Sequence, residues 1–328
     1  AGTYIDEENL ISPAIYEAYK NGQNIDWAKE MIHTGFNQNY SLSVSSGTKN
    51  TKAYVSFNYS EEDGQYKNDN YKVYSTNISL DQQVKKWVAI GVNLQGSYSM
   101  QDKGHSKLYN AMVASPFGSL YDDNGNLNPY PVVGDNRQVN LLLSQNRDAY
   151  RDNSDKMRAY LNPYIRITPL KGLTLESRIN ASLSYTTGKT FKGYDSYQMY
   201  DGLGTGGMNA TPEQKKAQVS GKVSNNRGYS YKWENIATYN FKVARDHDFT
   251  VTGVTSYSHN QNENSAAEAY GITSNKYLWT NLGVATGAKN VESGYTMTKS
   301  FGLIGRINYS YLGRYLLSAS VRHDGYSV

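Results

Sequence analysis

The chain has no cysteine, only seven prolines in 328 residues, and no long hydrophobic run. Without cysteine, a disulfide scaffold and a cysteine-type structural zinc site are excluded. The longest apolar run is WVAIGV at 87–92, far short of the roughly 18 consecutive apolar residues of a spanning helix. An excess of one charge is lacking too. Lys and Arg number 33 against 29 Asp and Glu, a net +4, too slight to argue for nucleic acid. Hydrophobic residues make up 38%, below the roughly 45–50% usual in soluble globular domains. The opening AGTYIDEENLISPAIYEAYK has no basic stretch followed by an apolar core, so it does not read as a secretory signal.

What is present is aromatic. Aromatics reach 13%, and 31 of them are tyrosine. Disordered chains are poor in aromatics, so a folded chain is expected. Abundant Tyr with Gly, Asn and Ser points to β structure with one wet face.

Residues 1–36 alone have helical character. Asp26 is placed to cap a short helix through Trp27, Glu30 and Met31, with Gly35 ending it. From Asn37 the period changes to two, and ten segments alternate. The clearest is 86–100, where Val88, Ile90, Val92, Leu94 and Tyr98 share one face and Asn93, Gln95, Ser97 and Ser99 the other. Pro163 interrupts the fifth segment, as a central strand would not welcome.

Alternation alone does not separate a soluble sandwich from a membrane barrel. Segment length and spacing favour the barrel. The segments run about 10–17 residues, against a usual mode of about 5–6 in globular strands and about 9–11 needed for a tilted membrane strand. Tyr and Trp collect near segment ends, as interfacial girdles require. Short links at about 46–50, 81–85, 169–171, 244–246 and 312–313 alternate with longer ones at about 61–70, 101–156, 187–225 and 261–294. Tight turns on one rim and long loops on the other produce this rhythm. The expected fold is therefore all-β, a transmembrane antiparallel β-barrel. Residues 1–36 form a loop and short-helix region entering it, and 37–328 the barrel strands. The alternative is a secreted or surface β-sandwich that binds glycans through loop tyrosines.

Enzyme chemistry finds no support. Gly202, Gly204 and Gly207 spell G-x-G-x-x-G, but polar SYQMYD precedes them where a dinucleotide site needs an apolar strand. They read as a loop apex. DDNGN at 122–126 resembles the start of a calcium loop without its spaced ligands or terminal Glu, and Asn124-Gly125 reads as a tight turn. His33, His105, His247, His259 and His323 are scattered, with no H-E-x-x-H. No catalytic residue, metal or cofactor is expected. The six N-x-[ST] sequons, including those at Asn39, Asn58 and Asn77, follow from Asn and Ser alternating with apolar residues.

Two groups are candidates for contact with a cargo. Arg166, Glu176, Arg178, Lys232, Glu234 and Arg306, with Lys52, fall on the polar face and are expected to line a lumen. Tyr109, Tyr121, Tyr130, Tyr194, Tyr197 and Tyr200 fall in the loops, where their rings could stack on sugars; ordinary loop packing is the competing reading.

The stretch NIDWAKEMIHTGFNQNYSLSVSSGTKNTKAYVSFNYSEEDGQYKNDNYKVYSTNISLD at 24–81 resembles the early barrel region of SusC/RagA-type TonB-dependent outer-membrane transporters. VKKWVAIGVNLQGSYS at 84–99 resembles the following strand. FGLIGRINYSYLGRYLLSASVRHDG at 301–325 is similar to another family stretch, ending at Arg322-His323-Asp324-Gly325. The resemblance covers most of 24–100 and 295–328, in order, and is weak in the long loops. It implies a twenty-two-stranded barrel with a lumen plug in the outer membrane of a Gram-negative, Bacteroides-type bacterium, of which ten strands are a part. It also implies energy from the TonB complex through a part of the polypeptide outside this sequence. A SusD-like surface lipoprotein would cap the mouth. The cargo would be an oligosaccharide or a peptide.

Overall fold

The computed structural model describes residues 11–104, 108–135, 137–201 and 210–327. Gly202, Gly204, Gly207 and His105 lie outside the described residues. Among those described, the period-two segments form one antiparallel sheet of ten strands. These are β1 (Asn37–Gly47), β2 (Thr51–Asp63), β3 (Asn70–Lys85), β4 (Val88–Asp102), β5 (Tyr150–Leu170), β6 (Leu173–Lys192), β7 (Ser220–Val243), β8 (His247–Tyr270), β9 (Lys289–Tyr311) and β10 (Tyr315–Ser327). Each strand pairs with the next, leaving β1 and β10 as the two edges of an unclosed wall.

Connections at 48–50, 86–87, 171–172, 244–246 and 312–314 are tight, and those at 64–69, 103–149, 193–219 and 271–288 are long. They alternate without exception, so all tight turns lie on one rim. Gly172 takes φ +86° in its turn, a conformation open to glycine and costly for other L residues.

The later strands are longer than the alternation of side chains indicates. Both β7 and β8 run 24 residues. Their rim ends, SGKVSNNR (220–227) and NQNENSAAEAY (260–270), are polar on both faces, so the hydrophobic period fades while the hydrogen-bond ladder continues. The long connections shrink accordingly, from the 101–156, 187–225 and 261–294 expected to the bounds above. Pro163 is accommodated inside β5. Its ladder to β4 runs through the Val92–Pro163 pair, whereas the ladder to β6 skips from Leu161–Ala181 to Tyr164–Arg178. The missing proline N–H is thus absorbed as a local gap.

Register sorts the two faces. On the apolar face, Tyr40, Tyr59, Tyr74 and Tyr98 stand opposite one another across β1–β4, with Tyr59 and Tyr74 ring centroids 5.0 Å apart. On β7–β9 the corresponding rows are Tyr231–His259 and Trp233–Tyr257–Phe301. A second aromatic belt, Phe241–Phe249–Tyr309 with His247–Tyr311–Tyr315, lies near the tight turns. Ten residues separate Tyr231 from Phe241, about 34 Å along a strand and about 26 Å in height at a tilt near 40°. That matches the roughly 25 Å apolar band between the aromatic girdles of outer-membrane barrels. Leu80, Ile90 and Val251 between the belts are exposed.

The buried core sits largely in the connections, joined by Phe191 and Ala269 from the rim ends of β6 and β8. Helices α1 (Pro13–Lys20), α2 (Trp27–Met31), α3 (Leu108–Val113), α4 (Tyr197–Tyr200) and α5 (Pro212–Gln218) gather above the long-connection rim. Asp26 caps α2 as expected, accepting from the Lys29 N–H at 3.1 Å. The helix stops at Met31 rather than Gly35, because Ile32 is drawn into a bridge with Tyr66. Ile25, Trp27 and Met31 pack with Leu141, Leu142, Leu143, Tyr197, Met199 and Tyr200 in one cluster. Phe191, Val219, Ala269 and Ile272 form a second.

Candidate functional site

The polar face of the sheet forms a charge-paired wall. Arg166, Glu176, Arg178, Lys232 and Glu234 sit on adjacent strands β5–β7 in register, Arg166 opposite Glu176 and Arg178 opposite Glu234. Arg166 Nε donates to Glu176 Oε2 at 2.8 Å, and Arg178 Nε to Glu234 Oε2 at 3.0 Å. Lys232 Nζ lies 2.7 Å from Glu234 Oε1, and Arg178 reaches back to Glu176 at 3.9 Å. Glu234 is only 7% exposed. Three carboxylate-facing cations therefore neutralise two acids, and a third acid joins from β3. Asp81 accepts from Tyr164 OH at 2.6 Å, and the Arg166 guanidinium stacks 5.1 Å over the Tyr164 ring. Asp81 and Tyr164 extend the group read from sequence, and the signal for Asp81 was there: it continues the polar alternation of Asn77 and Ser79. Arg306 stands apart on β9, where its Nε donates to Asn308 Oδ1 at 3.2 Å.

Above this wall the long connections make a structured mouth. The indole N–H of Trp27 donates to the Ser115 carbonyl at 2.9 Å, and Gln145 Nε2 to the Met31 carbonyl at 3.0 Å. Asn140, fully buried, donates to the carbonyls of Leu120 and Asn128 at 3.0 and 2.8 Å and accepts from Leu142 N–H at 3.1 Å. Asn275 of the last long connection donates to the Asp148 carbonyl at 3.0 Å. Three separate segments, the N-terminal stretch and the 103–149 and 271–288 connections, are so tied into one body.

The six loop tyrosines divide. Tyr197 and Tyr200 are buried in the mouth core, and Tyr130 meets Tyr200 edge-on at 5.9 Å. Burial pushes the Tyr197 phenol up to about 12, and the Tyr200 phenol is raised further for the same reason. Lys215 Nζ sits 3.7 Å over the Tyr200 ring, where desolvation lowers its pKa. Tyr194 packs on the second cluster. Tyr109 and Tyr121 are exposed, at 77% and 49%, and the structure does not bring them together with the other four.

Two cavities open between the mouth segments. One of about 280 Å³ lies among Asn110, Arg137, Gln138, Tyr197, Tyr200 and Asp201. A larger one of about 650 Å³ lies among Tyr194, Glu213, Lys216, Ile272, Asn275 and Thr286. Beside the smaller cavity, Arg137 Nη2 contacts Asp135 Oδ2 at 2.6 Å, and the guanidinium hydrogen bonds hold the Asp135 carboxyl down to about 2. The DDNGN segment is a turn. Asp122 Oδ1 accepts from the N–H groups of Asn124 and Asn126 at 2.9 and 2.8 Å, with Gly125 at φ +81°. Among the described residues no group of three His, Asp or Glu could hold a metal ion.

No protein-family model matches the chain. Among curated proteins it is similar to TonB-dependent receptor P26 of Formosa agariphila, 26% identical over 311 residues, covering 93% of this chain and 29% of that protein. It is likewise similar to TonB-dependent receptor P3 of the same organism, 27% identical over 334 residues, covering 98% and 31%. Among solved structures it superposes on the RagAB peptide transporter with a TM-score of 0.74 at 20% identity, covering 93% of this chain and 33% of that one. The ferric citrate transporter FecA follows more distantly, with a TM-score of 0.54 at 9% identity, 89% of this chain and 35% of that one. The chain thus spans about a third of the length of the proteins it matches, which are receptors and transporters of the outer membrane. The chain is therefore related in sequence to TonB-dependent receptors, and its ten-stranded wall shares its fold with part of the RagAB transporter.

Proposed function

We propose that this stretch belongs to an importer that brings a nutrient oligomer, in the first instance an oligosaccharide, across the outer membrane of a Gram-negative, Bacteroides-type bacterium. The observation that carries the reading is the sheet's two-sidedness: a charge-paired inner wall at Arg166–Glu176–Arg178–Glu234 behind an outer face belted by aromatics. Water and a polar cargo suit the first, and lipid the second. The long connections lie outside the cell and the tight turns face the periplasm. A SusD-like lipoprotein covers the mouth, and the TonB complex acts through a part of the polypeptide beyond this stretch. Tyr109 and Tyr121, being exposed, are the tyrosines placed to meet cargo. Tyr130, Tyr194, Tyr197 and Tyr200 shape the surface around the cavities. The wall charges Lys232, Arg306 and their neighbours keep the passage wet. In this reading the chain moves its cargo without covalent chemistry.

A peptide cargo is the second reading, favoured by the likeness to RagAB, a peptide transporter. The deciding experiment is uptake of labelled oligosaccharides and labelled peptides by cells carrying the full-length polypeptide, with and without functional TonB. TonB-dependent uptake of oligosaccharide is the expected result. Uptake of peptides alone replaces the first cargo by the second, and uptake indifferent to TonB overturns both.

A further inference from the structure

The outer face carries a groove of about 480 Å³ across β5–β9. Its floor includes small side chains, with Ala237 opposite Gly253. A Cβ placed at Gly253 would meet nothing within 4 Å. Larger residues bound it above and below. Toward the long-connection rim stands the row Ile179, Trp233, Tyr257 and Phe301; toward the tight turns stand Tyr239, Val251 and Ile307. Ile165, Ile167 and Leu175 close one end and Leu303 the other. The polar groups within it are turned on one another. Trp233 Nε1 donates to Ser177 Oγ at 2.9 Å, and Asn235 Nδ2 to Thr255 Oγ1 at 3.5 Å. What remains is an apolar trough at bilayer depth. A trough left empty forfeits dispersion contacts along its whole lining.

The same face carries unneutralised positive charge above the groove. Lys299 stands in register with His259 and Tyr231, and Arg227 lies four residues further toward the rim on β7. Both are exposed, and among the described residues neither is in an ion pair. Glu263, opposite Arg227, instead accepts from Gln261 Nε2 at 2.7 Å. Lys299 is level with the upper aromatic belt, where lipid head groups begin, and Arg227 is about 10 Å higher at the strand rise and tilt of a barrel.

We propose that this face binds one phosphorylated lipid of the surrounding leaflet. Its head-group phosphate is held by Lys299 and Arg227, and an acyl chain lies on the Ala237–Gly253 floor. Cations at head-group height attract anionic lipid, and the trough beneath them fits a flexible chain. The proposal rests on the reading that this sheet spans a membrane.

The test uses the full-length polypeptide, extracted in mild detergent and analysed by native mass spectrometry and phosphorus content. Two variants accompany it: Gly253→Leu, which fills the trough where no atom stands in the way, and Arg227→Glu with Lys299→Glu. The wild type is expected to retain one phosphorylated lipid per polypeptide. Each variant is expected to lower that occupancy about ten-fold, a change of about 1.4 kcal/mol, while gel migration before and after boiling stays as in the wild type. No retained lipid in the wild type, or variants that retain as much lipid as the wild type, overturns the lipid site. A wild type that stays monodisperse without detergent and does not change migration on boiling overturns the membrane reading beneath it.

Discussion

The Trp27 indole N–H donates to the Ser115 carbonyl at 2.9 Å, across 88 residues of sequence, and its ring is 4% exposed. A short helix ahead of the first strand is in this way the wedge that holds the 103–149 connection against the 193–219 connection. Trp27→Ala removes a buried aromatic from the mouth core, a loss of about 3–5 kcal/mol for such a substitution. The strands share none of that packing. In the full-length protein the variant should show rapid proteolytic cleavage within 103–149 and 193–219, while the boiling-dependent gel shift of the barrel persists. Equal protection of the loops in variant and wild type would contradict the wedge.

Asp135 offers a pH test in the same region. Its carboxyl is held down to about 2 from an ordinary 3.8, chiefly by the Arg137 side-chain hydrogen bond. A depressed folded pKa adds stability above the unfolded pKa, and that stability fades as pH falls through the folded one. The 131–139 turn should therefore loosen between about pH 4 and pH 2. Hydrogen exchange at the Arg137 amide, which donates to Asp135 Oδ1 at 3.0 Å, should accelerate over that window beyond its intrinsic pH trend. Asp135→Asn should remove the pH-dependent part.

Much of this was legible because a membrane wall writes a strong period into the chain. Val88, Ile90, Val92 and Leu94 share one face of the sheet, and their polar neighbours Asn93 and Gln95 the other, as the two sides of a membrane wall require. The charged group was legible as a group for the same reason: Arg166, Glu176, Arg178 and Glu234 occupy one parity, and pairing follows once the register is set. The rim ends of β7 and β8 were not legible. Outside the bilayer neither face is constrained to be apolar, and backbone pairing alone leaves no side-chain period. The mouth core was hidden differently. Trp27, Leu141 and Tyr200 come from three distant segments, and nothing local announces that they meet. Tyrosines that looked like sugar-stacking surfaces, Tyr197 and Tyr200, are packing residues.

The wall charges answer to substitution at Glu234. It receives Arg178, Lys232 and Asn180 together, so Glu234→Ala strands two cations in a part-buried position. The expected cost is about 1–3 kcal/mol, below the full penalty of a buried pair because both cations remain nearly half exposed. The temperature at which the full-length barrel loses its compact gel migration should fall. Glu234→Gln, which keeps the volume and the Asn180 contact, should lower it less. The reverse order would mean that shape, rather than charge, is what Glu234 supplies.

At the turn between β5 and β6, Gly172 holds φ +86°, and a Cβ there would overlap the Asn240 carbonyl oxygen of the next strand. Gly172→Ala should cost upwards of about 1 kcal/mol from the backbone conformation alone. Gly313 also takes a positive φ, +67°, but has open space around it. Gly313→Ala should therefore lower the same gel transition by clearly less, and equal effects at the two turns would remove the steric component.

The length of β7 and β8 has a consequence for how this protein meets its surroundings. Each continues eleven residues past the Tyr231–His259 row before turning. At the rise and tilt of a barrel strand, that raises about 29 Å of hydrogen-bonded ribbon above that row. The entrance is then a stiff parapet rather than a fringe of loose loops. On the proposed importer reading, a partner settling on it would find a fixed ledge, and a cargo would first be held well outside the bilayer, at a height that lipid composition cannot alter.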